Sequence, residues 1–126
     1  MKHFFTLSII IAFLSSFTFR IGIDDVIAAL KTGNASAVAK YFDNNVDISM
    51  PDKSNSYSKS QAELVLKDFF SSNPVKSFEI IHKGENAGSQ YCIGTLQTKT
   101  GAYRTTVFMK QKGDMQVLQE LRFENR

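Results

Sequence analysis

The side chains that could do chemistry in this sequence are few and widely spaced. His82, Tyr41, Tyr91 and Tyr103 can exchange protons, and Arg104 carries a guanidinium suited to carboxylate or phosphate. An imidazole works as an acid or base near neutral pH when a carboxylate stands beside it. Asp43 and Asp47 are the nearest acids, and both fall in or beside a turn. The competing reading makes His82 a strand-end residue with a satisfied hydrogen bond and the tyrosines amphipathic core residues. Arg104 would then pair across strands with Glu120 or a neighbour. His3 belongs to the N-terminal segment, so one imidazole remains for the rest of the chain. Metal sites usually draw on several ligands, so no metal and no cofactor are expected. No side chain is singled out as catalytic, and His82, Tyr41, Tyr91, Tyr103 and Arg104 stand as candidate ligand-binding residues. Cys92, the single cysteine, excludes an intrachain disulfide and reads as a small buried hydrophobe.

Residues 1–19 read as a signal peptide. Lys2 and His3 form a short basic start, and residues 4–14 are an apolar run. That run is too short to cross a bilayer, which takes ~20 residues. The protein is therefore expected to be exported, periplasmic or secreted, touching a membrane only if this segment stays uncleaved. The formal charge of +3 falls to +2 without Lys2 and to +1 without Arg20. So weak and scattered a charge excludes nucleic acid as an expected partner. Residues 20–126 are long enough for one domain with a real core.

The elements that must position these side chains follow from periodicity and punctuation. Ile23, Val26, Ile27 and Leu30 recur at helical spacing over residues 21–30, and Gly33 ends that helix. Asn34 caps a second helix over 35–42. Val46, Ile48 and Met50 alternate as a short strand, and residues 51–55 form a polar loop. Ser60-Gln61-Ala62-Glu63 has the pattern of a capping box before an apolar helix that ends ahead of Pro74. Strands are expected over 76–83, 91–98, 103–110 and 115–123, with Phe78, Ile80 and His82 on one face of the first.

Three-residue hairpin loops at 100–102 and 112–114 would place the odd-numbered residues of the last three strands on one face. That face would hold the helices and carry Tyr91, Ile93, Tyr103, Val107, Met109, Val117, Leu121 and Phe123. The other face would carry Cys92, Leu96, Arg104, Phe108, Lys110, Leu118, Glu120 and Arg122. Its apolar centre, Leu96, Phe108 and Leu118, is the candidate interface for a homodimer formed through the sheet.

The order helix, helix, short strand, helix, four antiparallel strands resembles the nuclear transport factor 2-like (cystatin-like) superfamily. It resembles more closely a family of small exported bacterial proteins of unknown function with that fold. The resemblance is carried by Ile27-Ala28-Ala29-Leu30, Gly33-Asn34-Ala35, Tyr41-Phe42-Asp43 and Val46. It continues through Gln61-Ala62, Asp68-Phe69-Phe70, Asn73-Pro74, His82-Lys83-Gly84, Gly101-Ala102-Tyr103-Arg104 and Leu121-Arg122. It implies an α+β domain in which N-terminal helices pack on a strongly curved antiparallel sheet of four main strands. The family supplies no catalytic residues. Two functions are carried forward: a non-enzymatic module binding a small molecule or a protein, and an isomerase- or dehydratase-type enzyme with a cavity between helix and sheet.

Overall fold

The computed structural model describes residues 22–126; the expected signal peptide, residues 1–19, lies outside them. The chain runs α1 (Ile23–Thr32), α2 (Ala35–Ala39), β1 (Phe42–Met50), β2 (Lys53–Ser58), α3 (Lys59–Ser72), β3 (Val75–Asn86), β4 (Ser89–Thr98), β5 (Gly101–Lys112) and β6 (Met115–Asn125). The sheet has six strands in the order β2-β1-β6-β5-β4-β3, not the four main strands expected. It is mixed, because β1 runs parallel to β6 while every other pair is antiparallel.

The helices form where local chemistry asks for them. Gly33 takes φ 66° after α1, and the amides of Gly33 and Asn34 close on the carbonyls of Leu30 and Ala29. Only a residue without a Cβ adopts that conformation at no steric cost. The Asn34 side chain then accepts from the Ala37 amide and starts α2. The third helix begins two residues earlier than expected: Ser58, not Ser60, accepts from the Gln61 amide at 3.4 Å. The pattern Ser58–Gln61 is itself a serine followed three residues later by a glutamine, so the capping logic holds with a shifted start.

The strands differ from expectation in length and in register. The second strand, Lys53–Ser58, is almost wholly polar, which is why alternation does not reveal it. The turns joining β4 to β5 and β5 to β6 hold two residues each, since Thr98 pairs with Gly101 and Lys112 with Met115. One residue fewer in the first turn flips β4 relative to β5. Cys92 faces the same side as Val107, and Leu96 the same side as Tyr103. In β6 a bulge at Gln119 restores the original parity, so Leu118, Leu121 and Phe123 all point inward. A second bulge at Ile81 in β3 turns His82 to the face opposite Phe78 and Ile80, against expectation.

The three helices of the described residues lie on the inner face. The first packs against β3 and β4, and the third against β1 and β2. The core beneath them is dense with aromatic rings. Phe69 stacks on Phe123 at 4.4 Å between ring centroids and meets Tyr103 edge-on at 5.3 Å. Phe70 meets the Phe123 ring at 6.4 Å. Leu66, Met109 and Leu121 fill the remaining space and are fully buried. Phenylalanines therefore occupy the space between α3 and the sheet. Each such ring contributes roughly 1.5–3 kcal/mol by burial.

The interface expected at Leu96, Phe108 and Leu118 does not exist as drawn. Leu96 and Leu118 are 0% exposed in the core, because β4 is flipped and Leu118 precedes the bulge. Phe108 alone of the three lies on the outer face.

Candidate functional site

The five residues singled out for ligand binding separate into three places. Tyr41 sits after α2 and donates a 2.6 Å hydrogen bond to the Asp25 carboxylate on α1. That bond, with desolvation and the nearby negative charge, pushes its hydroxyl up to about 12. The residue ties α1 to the start of β1. Tyr103 lies on the inner face, where its hydroxyl donates to Asn73 at 2.9 Å. Asn73 also accepts from the Thr100 hydroxyl and donates to the Phe69 carbonyl at 2.9 Å. This cluster clamps the end of α3 to the β4–β5 turn. Buried Thr98 stiffens that turn by accepting from the amides of Thr100 and Gly101, each at 3.2 Å.

His82 and Tyr91 are brought together, but on the outer face. The Tyr91 hydroxyl lies 2.8 Å from His82 Nε2, and the two rings are 5.5 Å apart at 47°. The Tyr91 ring lies directly over its cross-strand neighbour Gly84, where an added Cβ would come within 2.7 Å of a ring carbon. Glycine at position 84 is thus what allows the ring to lie flat and reach His82. Arg104 is exposed on the same face, in register with Thr95 and Glu124. Glu120, one of the partners expected for it, binds Arg122 at 2.9 Å, and Arg122 reaches Glu124 at 3.6 Å.

Around the His82–Tyr91 pair the outer face is partly apolar. Ile93, Phe108 and Val117 are half-buried, and among the described residues no helix packs over them. Ile93 and Val117 were expected in the core, and their apolar character alone gave no sign of which face they occupied. The available signals are the lengths of the two turns: the β4–β5 turn decides the face of Ile93 and the β5–β6 turn that of Val117.

The acid expected near the histidine is engaged elsewhere. Asp43 accepts from Lys112 Nζ at 2.8 Å, from the Asn44 amide at 2.8 Å and from the Gln119 side chain at 3.1 Å. The lysine hydrogen bond, then the two amide bonds, hold its carboxyl down at about 2. Gln119 is the bulged residue of β6, so this cluster also pins the bulge. Asp47 is exposed on the outer face, beside Glu120. Cys92 is fully buried, and desolvation pushes its thiol up to about 11. Among the described residues no group of His, Cys, Asp and Glu is arranged to hold a metal ion.

A family model, "Domain of unknown function (DUF4783)", matches residues 23–124. The chain belongs to the DUF4783 family. A DUF4783 protein from Bacteroides uniformis is 32% identical with a TM-score of 0.80, over 82% of this chain and 96% of that one. One from Bacteroides ovatus is 28% identical with a TM-score of 0.80, over 86% of this chain and 97% of that one. An NTF2-like protein of unknown function from Cytophaga hutchinsonii, at 13% identity, has a TM-score of 0.58 over 80% of this chain and 83% of that one. That likeness shows the nuclear transport factor 2-like fold and nothing finer. No curated protein matches the chain.

Proposed function

We propose that this DUF4783 protein is an exported, non-enzymatic module that binds a small molecule or a protein on the open face of its sheet. The observation that carries the reading is the contrast between the two faces. Phe69, Phe70 and Phe123 fill the space where an isomerase or dehydratase of this fold would need a cavity. The outer face offers a held His82–Tyr91 pair beside half-buried Ile93, Phe108 and Val117. An amphipathic aromatic surface with one imidazole, and a guanidinium farther along the same face, suits a ligand with an apolar body and a polar or anionic end. Self-association through the sheet belongs to the same reading. The N-terminal basic and apolar segment supports export, and the N-terminal sequence of the native protein checks it.

The test is titration of the isotopically labelled protein with two fragment probes, indole and benzoate, followed by amide chemical shifts. Shifts centred on His82, Tyr91, Ile93 and Phe108 support the open face. Shifts centred on Leu66, Phe70 and Leu121 would mean that the core opens to ligand, and the enzyme reading would take its place.

A further inference from the structure

The sheet ends in two unlike edges. The edge strand β2 is short and polar, with Lys53 to Ser56 all exposed. The other edge, β3, runs for twelve residues and carries Ile80 at 43% and Ile81 at 55% exposure, two of the four exposed large hydrophobic side chains among the described residues. A long edge strand with an apolar middle is an open template for a further strand.

We propose that β3 pairs with β3 of a second copy, antiparallel, joining two sheets across a two-fold axis between Ile80 and Ile81. The proposal rests on the self-association read above and names the strand that makes it. The bulge is what makes the strand self-complementary. Before it, Phe78 and Ile80 face inward and Glu79 outward; after it, His82 faces outward and Lys83 inward. Strand pairing requires that opposite residues share a face. With the axis between Ile80 and Ile81, Glu79 stands opposite His82 of the other copy on the outer face. Phe78 stands opposite Lys83 of the other copy on the inner face. Without the parity change at Ile81, each of these pairs would point to opposite faces.

The charges select the same alignment. At its ends Lys76 comes opposite Glu85 of the other copy, and by symmetry every pair occurs twice. The Tyr91 hydroxyl occupies His82 Nε2, which leaves Nδ1 to donate to the Glu79 carboxylate of the other copy. Lys83 keeps its bond to Asp24 on α1 in this arrangement. Sliding the strands by two residues in one direction sets Lys76 against Lys83, a like-charge pair that disfavours that register. The partner this edge fits best is therefore a second copy of the chain.

Sedimentation equilibrium of the wild type, Ile80→Lys/Ile81→Lys, Phe108→Glu and Lys76→Glu tests the proposal, with circular dichroism confirming that each folds. The expected result is a wild-type dimer, a monomer for the double isoleucine variant and an intact dimer for Phe108→Glu. Lys76→Glu should weaken the dimer roughly threefold to tenfold, and adding Glu85→Lys should restore it. A double isoleucine variant that remains dimeric, with Phe108→Glu monomeric, would overturn the edge pairing while self-association through the sheet stands. A wild type that stays monomeric would overturn both.

Discussion

The two faces of this sheet are built from similar residues and do opposite work. The inner face is closed: Leu96, Val107, Met109, Leu118, Leu121 and Phe123 are each 0% exposed beneath the helices. The outer face carries Tyr91, Ile93, Phe108 and Val117, which are largely apolar too, yet among the described residues no helix reaches them. The difference is made by turns and bulges rather than by residue type. A two-residue turn after Thr98 assigns β4 its faces, the Gln119 bulge assigns β6, and the Ile81 bulge assigns the far end of β3. A sheet can therefore keep an aromatic surface outside its core while equivalent side chains fill the core.

Substitutions matched across the two faces break or sharpen that comparison. The largest effect is expected at Phe123→Ala, which removes the ring stacked on Phe69 and set edge-on to Phe70. Urea unfolding should show a loss of about 3–5 kcal/mol. A loss near zero would mean that the inner space is not packed as described. The sharper pair is Leu96→Ala against Phe108→Ala. The first should cost about 2–5 kcal/mol and the second clearly less, because only Leu96 leaves a buried cavity. Equal losses would erase the distinction between the faces.

Smaller effects probe the clamps. Asp43→Asn should cost about 1–2 kcal/mol by weakening the charged bond to Lys112 and the hold on the Gln119 bulge. The folded carboxyl titrates at about 2, below its ordinary 3.8, so the unfolded chain binds the proton more readily. Its stabilisation is complete above pH ~4 and fades as pH falls toward 2. Urea midpoints measured across that window should show a steeper acid decline in the wild type than in Asp43→Asn. The smallest effect is a gain. Ala87 takes φ 49° in the β3–β4 turn, a left-handed conformation costly for a residue with a Cβ. Ala87→Gly should raise stability by up to about 1 kcal/mol, read as a higher thermal midpoint.

Much of this architecture is legible in the sequence, and the rest is hidden for physical reasons. The stripe Ile23, Val26, Ile27, Leu30 with Gly33 and Asn34 marks both α1 and its junction with α2, because capping residues act on the backbone locally. The strands from β3 onward show through alternation. The second strand does not, since Lys-Ser-Asn-Ser-Tyr-Ser carries a single apolar residue, Tyr57. The candidate site is harder to read. His82 and Tyr91 stand out in the sequence, but their contact depends on Gly84 and on the bulge at Ile81. Tyr41 and Tyr103 looked equivalent to Tyr91, and only tertiary partners, Asp25 and Asn73, reveal them as clamps. A period of two gives the existence of faces; a turn one residue shorter decides which is which.

The neighbours Cys92 and Ile93 test the central claim most directly, because they point to opposite faces of one strand. Thiol labelling of the native wild type should proceed only as fast as unfolding, since Cys92 is 0% exposed and its thiol is held up at about 11. In a Cys92→Ser background, Ile93→Cys should label rapidly without unfolding. The account predicts slow reaction at position 92 and fast reaction at position 93; the reverse order would place the core on the other face and contradict it.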